Sequence, residues 1–155
     1  MFLAKLAVVI IVSSMACSTA GSTQLHLFGV PSFSDPEYFI TKIVRNTGVK
    51  PDTKSKFAQL FITRIKAAAK KDPNFAGRYS LTSWGCGTSC RSGAVINLVT
   101  GEVIELPTSS WGYEFRIHSA LLILNPLAEG ELAEERPWYG QPEYYLFNGK
   151  EFLEF

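Results

Sequence analysis

Cys86 and Cys90 enclose the three residues Gly87-Thr88-Ser89 and are followed by Arg91. In an oxidising compartment, thiols this close pair with each other across the turn. A ring this small is worth about 2 kcal/mol of unfolded-chain entropy. A redox-active pair instead favours C-x-x-C within a βαβ unit and cations that lower the thiol pKa. Here the spacing is C-x3-C, no βαβ pattern surrounds it, and Arg91 is the one adjacent cation. A zinc site wants four ligands, whereas the two cysteines and His118 supply three, with His26 far off near the N-terminus. The spacing therefore assigns Cys86 and Cys90 to a structural disulfide, with no metal and no cofactor expected.

Nucleophilic catalysis needs a nucleophile, a base and an orienting group. Ser83, Ser89 or Cys90 can be combined with His118 and Glu114, but no nucleophile elbow or other catalytic signature surrounds them. His118 alternates with apolar residues in RIHSALLIL, the pattern of a sheet histidine. Glu102 and Glu105 fall on opposite faces of a strand, so they make no carboxylate pair for glycoside cleavage. No catalytic residue is assigned. The alternative reading is an envelope hydrolase or thiol redox protein using Cys90 or a nearby serine with His118.

A second set of residues suits binding. Trp84, Trp111 and Trp138 recur every 27 residues, the first two followed by glycine, and the third opens the aromatic run Trp138-Tyr139-Gly140-Gln141-Pro142-Glu143-Tyr144-Tyr145. SGAVINL from Ser92 also matches SALLILN from Ser119 at the same offset, a pattern that either a hairpin repeat or coincidence produces. If each tryptophan precedes a strand that leaves and a strand that returns, the three tryptophan loops gather at one end of the sheet. Thr100-Gly101, Asn125-Pro126 and Asn148-Gly149 would then turn at the other. Trp84, Arg91, Trp111, Trp138 and Tyr139 are accordingly the candidate binding residues, suited to an envelope protein or glycan partner. The competing reading has these aromatics plugging the open end of the core.

The stretch from Asn74 to Pro107 resembles the signature region of small exported bacterial proteins, with Phe75-Ala76-Gly77-Arg78-Tyr79 as F-A-G-x-Y and Trp84 to Cys90 as W-G-C-G-x-x-C. The resemblance, which with the preceding basic helix spans about half the mature chain, implies export and a shared sheet and carries no catalytic residues. Ser92-Gly93-Ala94 is similar to the start of a lysozyme-inhibitor loop, with Ile96 where that loop has a tyrosine.

The elements that must position these residues begin after a leader. Residues 1–20 carry Lys5, an apolar run from Leu6 to Val12 and a small-residue end, the pattern of a signal peptide. The run is far below the roughly 20 residues that span a bilayer, and no later segment supplies one. Cleavage after Ala20 leaves a free periplasmic or secreted protein, and cleavage before Cys17 leaves a lipoprotein anchored there. Residues 21–53 read as an extension with a short helix from Pro36 to Arg45, capped by Ser34 or Asp35. Residues 54–155 read as one domain.

Within it, Phe57, Leu60, Phe61, Ile65, Ala68 and Ala69 recur at helical spacing, predicting one main amphipathic helix from Lys54 to Lys71, capped by Asp52 or Thr53. Strands are predicted at Arg78–Trp84, Ala94–Val99, Glu102–Leu106, Tyr113–Leu124, Glu143–Phe147 and Lys150–Phe155, the last pair closed by Asn148-Gly149. Glu129 to Glu135 reads as a solvated loop or a short helix. The fold class is α+β: an antiparallel meander of about five to six strands packed by that helix and pinned by one short disulfide.

Charge is segregated. Residues 41–91 hold eleven cations against Asp52 and Asp72, and residues 92–155 hold three cations against ten carboxylates. Either a basic face meets an anionic partner, or a basic helix lies beside an acidic sheet rim. No nucleic-acid motif accompanies the charge, so nucleic acid is not an expected partner.

Overall fold

The structure is a computed structural model that describes residues 29–155. The expected leader, Cys17 and His26 lie outside the described residues. Two antiparallel sheets form the body. The first has three strands in the order β1 (Tyr79–Gly87), β2 (Cys90–Asn97) and β3 (Val103–Glu105), and the second has four, β4 (Tyr113–Phe115), β5 (Leu121–Leu124), β6 (Glu143–Phe147) and β7 (Phe152–Glu154). The chain is thus α+β with seven strands in two sheets instead of one meander.

Period-two alternation decides how the layers stack. Tyr79, Leu81 and Val95 point from the first sheet towards Leu122, Leu124 and Phe147 of the second, with Phe75 and Leu106 completing that core. From the opposite face of the first sheet, Trp84, Ala94 and Ile96 meet Ala58, Ile65, Ala68 and Ala69 of the helical segment. The result is three layers: helix, sheet, sheet.

The helical segment consists of α1 (Lys56–Leu60) and α2 (Ile62–Ala68), interrupted at Phe61, whose φ of −110° and ψ of 23° leave the helical region. Ser55 caps it, its Oγ accepting the Ala58 N–H at 3.0 Å, so the start lies two residues later than Thr53 would set it and three later than Asp52 would. Phe57 and Phe61 rest on Trp84, whereas Leu60 is 75% exposed and does not belong to the packed stripe.

Two further expectations are corrected. No helix forms over Pro36–Arg45. Pro36–Tyr38 makes a turn, the Tyr38 N–H donating to the Asp35 carbonyl at 3.0 Å, and the chain then runs on without helix, the Ile40 N–H donating to the His118 carbonyl at 2.8 Å and the Val44 N–H to the Gly77 carbonyl at 2.8 Å. Ile40, Thr41, Ile43 and Val44 are β-branched, which favours this outcome. Tyr113–Leu124 is two strands, because the chain turns at Arg116–Ala120. The turn carries no Gly or Pro and is held by outside partners: the Gly77 N–H donates to the Ile117 carbonyl at 2.8 Å, beside the Ile40 bond to His118. Among the described residues no helix is long and apolar enough to cross a membrane.

Candidate functional site

The disulfide Cys86–Cys90 is formed, with Cα atoms 5.1 Å apart. The register shifts between Gly85 and Gly87, so Cys86 is the extra residue of a β-bulge, and Ser89 adopts a φ of +48° in the turn that follows. The clamp fixes the end of the hairpin beside Arg91. Arg91 in turn pairs with Ser109, donating its N–H at 2.7 Å and accepting the Ser109 N–H at 3.0 Å. The first sheet is thereby tied to the loop that carries Trp111.

That loop and residues 125–142 build one hydrogen-bonded platform around two buried side chains that sequence reading missed. Asn125, in a left-handed conformation with φ of +51°, accepts through Oδ1 from Ser109 Oγ, the Ser110 N–H and the Trp111 N–H, each at 2.9 Å. Its Nδ2 donates to the Gln141 carbonyl at 3.0 Å. Arg136 is 8% exposed. Its guanidinium donates to the carbonyls of Asn125 (2.7 Å), Pro126 (2.9 Å) and Gly140 (3.1 Å), and forks onto the Glu131 carboxylate through Nε (2.6 Å) and Nη2. It also lies 4.2 Å from the centre of the Trp111 ring.

Every donor direction of this buried charge is therefore answered, which is the condition for burying it. Hydrogen bonds from Arg136, with a further one from the Ala128 N–H, hold the Glu131 carboxyl down at about 2. Glu131 is thus a structural partner and not simply part of a solvated acidic loop.

On this frame Trp138 is 86% exposed, Tyr139 44% and Trp111 42%. Trp138 and Tyr139 meet edge to face, with centroids 5.7 Å apart. Arg91 joins them, its Cδ lying 3.6 Å from where a Cβ on Gly112 would stand. Four of the five candidate binding residues are therefore exposed and sit on the connected loops at this end. Trp84 is the exception: its backbone lies in β1 near the disulfide, but its ring is 4% exposed, packed between Phe57, Phe61 and Arg64. Helix packing claimed it.

The turns sort accordingly. Gly101 approaches Lys50, and Gly149 lies near Tyr79 at the far end of β1. Asn125-Pro126, expected at that far end, instead lies beside Trp111, since β4 and β5 form a hairpin of their own. Ser92-Gly93-Ala94 is not a loop but the interior of β2, where a Cβ on Gly93 would stand 2.5 Å from the Thr82 carbonyl oxygen.

The catalytic combination does not assemble. His118 is exposed in the β4–β5 turn, stacked on Phe39 and 3.3 Å from the Ile40 carbonyl, at the opposite end of β4 from Arg91 and the disulfide. The Cys90 sulfur is bonded to Cys86. Among the described residues no three His, Cys, Asp or Glu side chains gather as a metal-ligand set. No family model, curated protein or solved structure matches this chain.

Proposed function

We propose that the protein is an exported envelope binding module, of inhibitor or immunity type, whose contact surface is the end of the molecule bearing Trp111, Trp138, Tyr139 and Arg91. The supporting observation is the exposure of Trp138 on a loop whose flanks are bound on both sides, by Arg136 through the Gly140 carbonyl and by Gln141 Nε2 through the Ala133 (2.8 Å) and Arg136 (2.9 Å) carbonyls. A rigid exposed aromatic loses little conformational entropy when it is covered, which is the property of a binding anchor. The partner class is an envelope protein or a glycan, both of which use flat aromatic faces. Affinity capture from envelope extracts with wild type and Trp138→Ala tests this. Loss of a specific partner with the variant is expected, and equal recovery of every partner by both would overturn the reading.

A further inference from the structure

The basic half of the chain contains a groove of about 820 Å³ at a different place, between α2 and the extended strap of residues 46–53. Lys66 and Lys70, one helical turn apart, face Lys50 of the strap across it, with Val49, Pro51 and Ala69 as its apolar surface. No carboxylate lines the groove, and none of its three lysines makes an ion pair among the described residues. The acidic half of the chain therefore does not neutralise this face.

The groove is also preformed. At one end Asn46 Nδ2 donates to the carbonyls of Ala69 (2.9 Å) and Lys71 (2.6 Å), and Thr47 Oγ1 donates to Leu98 (2.7 Å). At the other the Asp52 N–H donates to the Gly101 carbonyl at 2.7 Å. The intervening residues, with Pro51 among them, are held off the helix by these anchors.

The end of a helix ordinarily repels an anion through its free carbonyls. Here the carbonyls of Ala67, Ala68, Ala69 and Lys71 are occupied, which weakens that objection. The Ala67 and Ala68 carbonyls accept from the Lys70 and Lys71 N–H groups at 3.4 and 3.0 Å, Ser80 Oγ also donates to Ala68 at 2.9 Å, and Asn46 occupies Ala69 and Lys71. Three unneutralised ammonium groups around an apolar surface, in a cavity of the size that takes one small molecule, specify the ligand's chemistry.

We propose that this groove binds a single amphiphilic anion, a phosphate or carboxylate headgroup on an apolar tail, with the headgroup between Lys50, Lys66 and Lys70 and the tail against Val49, Pro51 and Ala69. The site is independent of the aromatic end. A free amphiphile is favoured over a lipid in a bilayer, because the apolar surface lies inside a concavity that a planar membrane does not enter.

Calorimetric titration of the full mature chain with dodecyl phosphate below its micelle concentration is the test. Saturable one-site binding is expected, weakened about tenfold by Lys50→Gln/Lys66→Gln/Lys70→Gln and by added salt. Val49→Asp, which places a like charge among the apolar residues, should weaken it as well. Dodecyl maltoside, which has the tail alone, and inorganic phosphate, which has the headgroup alone, should each bind far more weakly. Equal affinity of wild type and the triple variant for dodecyl phosphate would overturn the site. Equal affinity for either half-ligand would overturn its amphiphilic character. Lysine-dependent co-sedimentation with phosphatidylglycerol vesicles, without binding of the monomer, would transfer the site to a membrane surface and overturn the free-ligand assignment. An unchanged unfolding midpoint shows that each variant is folded.

Discussion

Two tryptophans of the same 27-residue series have opposite surroundings, and the difference is measurable. Trp84 is enclosed by Phe57, Phe61 and Arg64, with its indole N–H lacking an acceptor among the described residues, whereas Trp138 stands in solvent. Trp84→Ala is expected to cost about 3–5 kcal/mol of stability, the range for emptying a large aromatic site. Trp138→Ala should stay within about 0.5 kcal/mol of wild type, as exposed substitutions do. Chemical denaturation of both variants checks the pair, and a large loss with Trp138→Ala would show that its ring is structural. Glu131 gives a pH signature. Its carboxyl titrates at about 2 in the folded protein against an ordinary value of 4.5, so its stabilisation is complete above the unfolded value and is lost as pH falls through the folded one. The stability difference between wild type and Glu131→Gln should therefore be flat at higher pH and shrink steadily between about pH 4.5 and 2. A difference that does not change across that window would mean that the Arg136 fork is not formed.

At the scale of elements, the β1–β2 hairpin and the Arg136 platform are joined through one short pairing, Arg91 with Ser109. The disulfide acts on the hairpin side of that junction. Its ring is closed by residues four apart, and replacing both cysteines by serine should lower stability by about 2 kcal/mol in denaturant unfolding. The disulfide's place in the fold adds a second expected effect: amide exchange at Arg91 and Ser109 should rise in the double variant, because the bulge that aligns them is no longer clamped. Unchanged protection at both amides would mean that the pairing holds without the clamp. The hairpin, its cysteine pairing and most of the strand positions were legible in the sequence, because alternation, turn glycines and C-x3-C spacing are written within a few adjacent residues. The β4–β5 turn was not legible. YEFRIHSALLIL carries no breaker, and the bend is held by N–H groups from Ile40 and Gly77, far away in the chain.

For the whole molecule, one core holds side chains from both sheets, so the halves should unfold together. Leu124→Ala removes a fully buried side chain from that shared core and is expected to cost about 2–5 kcal/mol. Trp84 reports on the first sheet and Trp111 beside the second; in single-tryptophan variants their fluorescence transitions should coincide with far-UV circular dichroism, and separated midpoints would show two independent units. The sequence by itself determined the α+β class, the disulfide and the segregation of charge, and placed a basic helical segment without its break at Phe61, since each depends on composition or on periodicity within one segment. Only the tertiary structure decided that the strands divide into two sheets, that Trp84 belongs to the helix contact, and that Asn125 and Arg136 organise the aromatic end. It also decided that the lysines around the strap face a groove and not the acidic half. These outcomes depend on which backbone and side-chain groups find partners across long sequence separations, and on which apolar faces lie close enough to exclude water from each other. No local pattern encodes either.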